Sequence, residues 1–160
     1  MKRLTVTCVL SLVYLLGWSG EIQGKVVQVM DGNTLEVETK EGEKFTVMLF
    51  GVDAPELGQE FGSEATSYLR KIALNKKVLV VMKGKDRWGS RMAKVSFANG
   101  EDVGVRLIRE GMAWSRLEGG EEKQLEGISK TARKGLWVDD DPTPPWIFRR
   151  KLTMKEAKSR

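Results

Sequence analysis

The sequence predicts an α+β domain, a five-stranded β-barrel with about three helices packed on one side. Three short runs within residues 25–50 alternate apolar and polar residues and are separated by turn residues, which is the signature of a strand meander. A helical repeat and two further strand-like runs follow, and then two more helical stretches. Strands, a helix, strands, then helices is the order of a barrel whose helices are segregated to one side. The length of 160 residues suits one compact domain, and 41% apolar with 31% charged residues excludes a disordered or membrane-embedded chain.

The elements follow in order. Lys25 to Met30 reads as a strand, Asp31-Gly32-Asn33 as a turn and Thr34 to Glu38 as a second strand, with Glu41-Gly42 as its hairpin turn. In Phe45 to Phe50 the side chains of Phe45, Val47 and Leu49 share one face, and Lys44, Thr46 and Met48 the other. A loop runs through Pro55. Ser63 is placed to cap a helix to about Leu74, where Ala65, Tyr68, Leu69, Ile72 and Ala73 recur at helical spacing. Val78 to Met82 and Met92 to Phe97 are strands joined by the charged loop Lys83 to Ser90. Asp102 caps a short helix ending near Gly111, and Glu121 to Lys134 forms another, closed by Gly135. The domain spans residues 20–138. Residues 139–160, Pro-rich and then basic, read as a partly ordered tail.

Residues 1–19 stand apart. Lys2 and Arg3 precede an apolar run from Leu4 to Trp18, which meets small residues at Gly17, Ser19 and Gly20. This is the layout of a secretory signal peptide, and the run is short of the roughly 20 residues of a transmembrane helix. The expected location is therefore outside the cytoplasm, periplasmic or secreted, with no stable membrane insertion after cleavage. Cys8 is the only cysteine and lies within this segment, and the chain has no histidine. Serine–histidine, cysteine–histidine and thiolate chemistry are thus excluded from the remaining domain. Any metal there must be a hard cation on oxygen ligands. Net charge is +5, and it falls by two with Lys2 and Arg3, a balance compatible with a polyanionic partner.

Several segments together carry a family likeness. Val29-Met30-Asp31-Gly32-Asn33-Thr34 is similar to a V-x-D-G-D-T hairpin, and Leu49 to Glu56 to an R-L-x-G-I-D-A-P-E segment continued by Gln59 and Phe61 to Ala65. Asp86-Arg87-Trp88-Gly89 is similar to D-R-Y-G-R, and Leu107 to Trp114, Gly135-Leu136-Trp137 and Pro144-Pro145-Trp146 complete the pattern. In order and spacing these segments resemble the staphylococcal nuclease (thermonuclease) family, across nearly all of the chain after the leader. The resemblance implies an OB-type barrel and a calcium-dependent phosphodiesterase acting on DNA and RNA. In such a site a hard cation and guanidinium forks offset charge that grows on the phosphoryl oxygens.

Carried over by position, Asp53 matches the main calcium carboxylate, the Ala54 carbonyl a backbone ligand, Asp31 an outer acid and Glu56 the water-activating glutamate. Asp31 is also ordinary Asp-Gly turn chemistry. Three positions depart from the pattern. Asn33 stands where the family has a second calcium aspartate, Met48 at its first arginine and Ser90 at its second. A thioether donates nothing to a phosphate, and an amide in place of a carboxylate removes a charge on which calcium affinity depends. Arg91 adjoins Ser90, but along the strand it shares parity with Ala93 and Val95, so only a bulge beside Gly89 would turn it to the other face. Arg87 and Trp88 match a basic and aromatic pair near the nucleotide. Arg116 and Leu117 replace a tyrosine-containing stretch, followed by acidic Glu118 to Glu122.

The resulting expectation is an exported, monomeric barrel of this family with calcium weakly bound or absent, catalysis weak or lost, and nucleic-acid contact retained. One alternative is an active calcium-dependent nuclease in which Arg91 or Arg87 substitutes for the missing arginines. Another is a non-catalytic envelope barrel that binds protein. The observation that separates them is whether a guanidinium points into the cleft beside Asp53 and Glu56.

Overall fold

The computed structural model describes residues 20–159. The leader and Cys8 lie outside them. Five strands form a closed barrel: β1 (Glu21–Val29), β2 (Thr34–Thr39), β3 (Lys44–Leu49), β5 (Lys77–Lys85) and β6 (Arg91–Phe97), in the order β1-β2-β3-β6-β5 with β5 paired back to β1. The β3–β6 pair is parallel and the other four are antiparallel. The expected five-stranded α+β barrel is present. Closure leaves no long edge strand for another chain to pair with.

Alternation decides what fills the barrel. Val26, Leu35, Val37, Val47, Val80, Ala93 and Val95 point inward and are fully buried. At one side α1 (Gly62–Ala73) contributes Ala65, Leu69 and Ile72 to this core, and α2 (Val103–Arg109) contributes Leu107 and Ile108. Asp102 caps α2 as expected, its carboxylate accepting from the Val105 N–H at 3.0 Å. α1 is not capped by Ser63. It starts two residues earlier, after Phe61 in a left-handed conformation with φ 62° and no side-chain cap.

Two short strands replace part of the expected loop. β4 (Val52–Asp53) pairs antiparallel with β7 (Trp114–Ser115), outside the barrel sheet. α3 (Gly120–Thr131) ends three residues before the predicted Lys134, and a 3-10 turn covers Gly135–Val138. The end of the chain differs most from expectation. Where residues 139–160 read as a partly ordered tail, Pro145–Lys158 forms a fourth helix, α4, with proline in its first turn. Proline there has no N–H to lose and a φ already suited to the helix. Among the described residues no helix is long and apolar enough to cross a membrane.

Candidate active site

Asp53 is held by backbone pairing to Trp114, and its neighbour Val52 pairs with Ser115. The Ser115 N–H is in turn anchored from α3, where Glu126 accepts it at 3.0 Å. Glu126 is 1% exposed and is also bonded by Lys123, at 3.1 Å, and by Lys130. Burial works to raise its pKa, but the two ammonium groups and the Ser115 N–H outweigh it and hold the carboxyl below its ordinary value. A buried charge is thus paired and hydrogen-bonded, and it clamps the strand partner of Asp53.

Two glycines set the approach of the surrounding segments. A Cβ on Gly32 would lie 2.6 Å from the Ala54 Cβ, so only glycine lets the β1–β2 turn close on the segment that carries Asp53. A Cβ on Gly62 would lie 2.0 Å from the Glu56 carbonyl oxygen, which is why α1 begins where it does. Gln59 ties the loop further. Its Oε1 accepts from the Glu56 N–H at 3.1 Å, and its Nε2 donates to the Thr143 carbonyl at 2.5 Å. The carboxylate loop and the segment leading into α4 are joined through this one side chain.

A guanidinium does point between Asp53 and Glu56, and it belongs to Arg149 of α4. Its Nη1 donates to Asp53 Oδ1 at 2.9 Å and to Glu56 Oε1 at 2.5 Å, and its Nη2 donates to Asp53 Oδ2 at 2.8 Å. The fork against Asp53 is bidentate, the strong form of this pairing. Asp53 is 8% exposed, Glu56 34% and Arg149 41%. The Asp53 contact raises the Arg149 pKa above its ordinary value by more than partial burial lowers it, with Glu56 adding to the rise. Arg149 reaches this place because Trp146, one turn earlier on the same face, packs edge-on against Trp114 with centroids 6.4 Å apart. Arg116 covers the Trp146 ring at 4.5 Å.

The other predicted residues are placed as follows. Asp31 lies in the β1–β2 turn, where its Oδ1 accepts from the Asn33 N–H at 2.9 Å. Asn33 is buried, and its Nδ2 faces the Val52 carbonyl at 3.4 Å, so the amide spans from this turn to β4. Ala54 is buried. Met48 lies opposite Thr34 across β2 and beside Met92 on β6. β6 pairs regularly from Arg91 onward, and the register shift falls on β5 between Met82 and Gly84. Arg91 therefore keeps the parity of Ala93. Ser90 closes a tight loop in which Asp86 Oδ1 accepts from the Trp88 and Ser90 N–H groups at 2.9 and 2.8 Å. Arg87 stacks over its neighbour Trp88 at 4.0 Å, and Trp88 is 72% exposed.

Sequence reasoning missed Arg149, although the Pro144-Pro145-Trp146 segment three residues before it belongs to the family pattern. The signal available was proline at a helix start followed by a run free of breakers.

Calcium, which the family likeness implies, needs several hard, anionic oxygen donors around one point. Among the described residues no group of three or more Asp, Glu, His or Cys side chains is arranged to hold a metal. Both oxygens of Asp53 face Arg149 instead. As arranged, these donors fit a guanidinium rather than a calcium ion.

Comparison with known proteins agrees with this architecture. Residues 46–139 match the model of the family described as staphylococcal nuclease homologue. An uncharacterized endonuclease of Escherichia coli O157:H7 is 32% identical over 144 residues, 86% of this chain and 94% of its own length. The micrococcal nuclease of Shigella flexneri is 31% identical over 161 residues, 92% of this chain and 91% of that protein. The staphylococcal-like nuclease CAN1 of Arabidopsis thaliana is 30% identical over 110 residues, covering 67% of this chain and 34% of its own. The barrel order, the carboxylates brought together on β4 and the loop after it, and likeness along most of the chain have one explanation: this protein belongs to the staphylococcal nuclease homologue family.

Proposed function

We propose that this chain is an exported, monomeric member of the family that contacts nucleic acid and hydrolyses phosphodiesters weakly or not at all. The observation that carries this reading is the state of the guanidinium in the cleft. Arg149 is bonded to Asp53 and Glu56, the carboxylates that the family likeness assigns to metal and water, and so is not free to meet a phosphate. Met48 and Ser90 supply no replacement donor of charge, and Asn33 removes a negative one. Losing one transition-state donor commonly costs about 10²–10³ in rate, and an arginine on a phosphoryl group is worth roughly 10³–10⁵. Arg87 and Arg91, the substitutes considered in the active alternative, lie on a loop and at a strand start, with Arg87 stacked on Trp88.

Retained nucleic-acid contact is supported by charge and by likeness. From Arg150 onward α4 is exposed and carries Arg150, Lys151, Lys155 and Lys158 against a single acid, Glu156. Relatives covering most of the chain are named as nucleases. Export rests on the leader of residues 1–19.

The test is digestion of single-stranded DNA with calcium present, alongside binding of a labelled oligonucleotide across salt concentrations. Slow or absent cleavage with steeply salt-dependent binding is expected. Turnover matching an active micrococcal nuclease sinks the impaired reading. Absence of any salt-dependent binding removes the nucleic-acid role and favours a barrel that binds protein.

A further inference from the structure

We infer that the barrel end away from the Asp53 cleft binds a single-chain anionic amphiphile, an alkyl carboxylate of medium length, with its tail on an apolar floor and its head among three lysines. The hollow that takes it has no part in the cleft. β2 leaves the cleft at Thr34, after the turn whose Gly32 packs on Ala54, and reaches the hollow at Glu38 and Thr39. The five residue steps from Thr34 to Thr39 span about 17 Å of strand.

Shape and charge carry the assignment. The hollow encloses about 790 Å³, within the roughly 300–1,000 Å³ of cavities that take small organic molecules. Its floor is apolar, made by Val78 and Leu79 of β5, by Phe97 at the end of β6 and by Ala98 after it. Phe97 packs against the barrel core behind it and so forms a fixed wall. Lys25, Lys40 and Lys77 also line the hollow, and all three are exposed. Such side chains lay their methylene stems on apolar surface and keep the ammonium in water. Against these three positive charges the lining holds one acid, Glu38.

Strand register sharpens the case. Lys25 lies directly opposite Lys77 across the β1–β5 pair and opposite Glu38 across the β1–β2 pair. Like charges directly opposed in an antiparallel pair destabilise it. Nothing internal relieves the cost: among the described residues Lys25, Lys40 and Lys77 enter no ion pair, and Glu38 does not reach Lys25. A local rule broken without compensation marks a place kept for something other than stability. An anion set between the ammonium groups compensates it, and the apolar floor selects an anion that carries an alkyl chain. A nucleic acid is the poorer match, because strands are held by exposed rings on which bases stack. The exposed ring of this barrel, Trp88, is on the β5–β6 loop, and Phe97 is committed to the core wall.

The experiment titrates decanoate, below its micellar range, into the natural chain by calorimetry and by amide chemical shifts. Decyltrimethylammonium serves as the same tail with the opposite charge. Decanoate is expected to bind one to one, at least about tenfold tighter than decyltrimethylammonium, with shifts concentrated at residues 23–25, 38–40, 77–79 and 96–100. Lys77→Gln should weaken it about fivefold, and Lys25→Gln combined with Lys77→Gln about tenfold or more, since an exposed ion pair is worth up to about fivefold in affinity. Lys71→Gln, which removes the same charge from α1, should change it by less than about twofold. No saturable binding, equal affinity for the two amphiphiles, equal losses in Lys71→Gln and Lys77→Gln, or shifts centred elsewhere overturns the assignment. So does an oligonucleotide that displaces decanoate, which makes the hollow part of a nucleic-acid path. Hollow amides that move on dilution of the chain alone mean that a second copy fills it, and overturn it equally. Should the lysine variants fail to fold, the shift map and the head-group preference of the natural chain decide. Cleavage assays bear only on the preceding reading, so either idea can fail without the other.

Discussion

Glu126→Ala is expected to destabilise the protein and to loosen the strand pair that presents Asp53. The carboxylate accepts from the buried Ser115 N–H and from Lys123 and Lys130. Removing it leaves the Ser115 N–H without a partner, at about 1–3 kcal/mol. The lysine side chains are 51% and 45% exposed and can turn to water, so their bonds add less than a fully buried pair would, about 1 kcal/mol together. A total of about 2–4 kcal/mol lowers Tm by roughly 6–14 °C for a domain of this size. Glu126→Gln keeps an acceptor for Ser115 but sets an amide N–H₂ against ammonium groups, so it falls between alanine and the natural residue. The pH dependence has a definite sign. The folded-state pKa of Glu126 is lowered, so its contribution is complete above the unfolded value of about 4.3 and is lost as pH falls through the folded value. Urea unfolding followed by tryptophan fluorescence at pH 7 and near pH 3 measures this. The gap between Glu126→Gln and the natural chain should narrow in acid. A Glu126→Ala variant within about 0.5 kcal/mol of the natural chain at pH 7, or a gap indifferent to pH, refutes the clamp.

Further expectations concern the helix dock, a cap and the missing charges. Trp146→Ala removes the contact with Trp114 and the surface under Arg116, so α4 should undock and trypsin should cut after Arg149 or Arg150 about tenfold faster, with the barrel intact by circular dichroism. Asp102→Ala deletes the α2 cap and should cost about 1 kcal/mol in urea unfolding, because only the Val105 N–H loses its partner. The combined change Asn33→Asp, Met48→Arg and Ser90→Arg should raise single-stranded DNA cleavage by at least about 10²-fold in the presence of calcium. No gain in a folded triple variant would mean that the cleft differs from its relatives beyond those positions.

Most of the scaffold was legible because alternation and turn chemistry are local. The inward set Val26, Leu35, Val37, Val47, Val80 and Val95 follows from period-two patterning, and the Asp102 cap from one residue ahead of an apolar repeat. The start of α1 was read wrongly because capping preference yields to packing: the close approach of Gly62 to the Glu56 carbonyl sets that boundary. β4 and β7 were not read at all, since two-residue strands have no period and exist only through each other. α4 was taken for a tail because its sequence has no apolar face to announce a docked helix.

By itself, then, the sequence determined the barrel, the family likeness and the three departures at Asn33, Met48 and Ser90, all of which depend on residue type and order along the chain. Only the tertiary structure decided which cation stands between Asp53 and Glu56. Arg149 is 96 residues from Asp53 along the chain, and the proline that signals its helix does not say where that helix docks. Its place is set by Trp146 finding Trp114, and by two carboxylates that must have a counter-ion once Asp53 is buried.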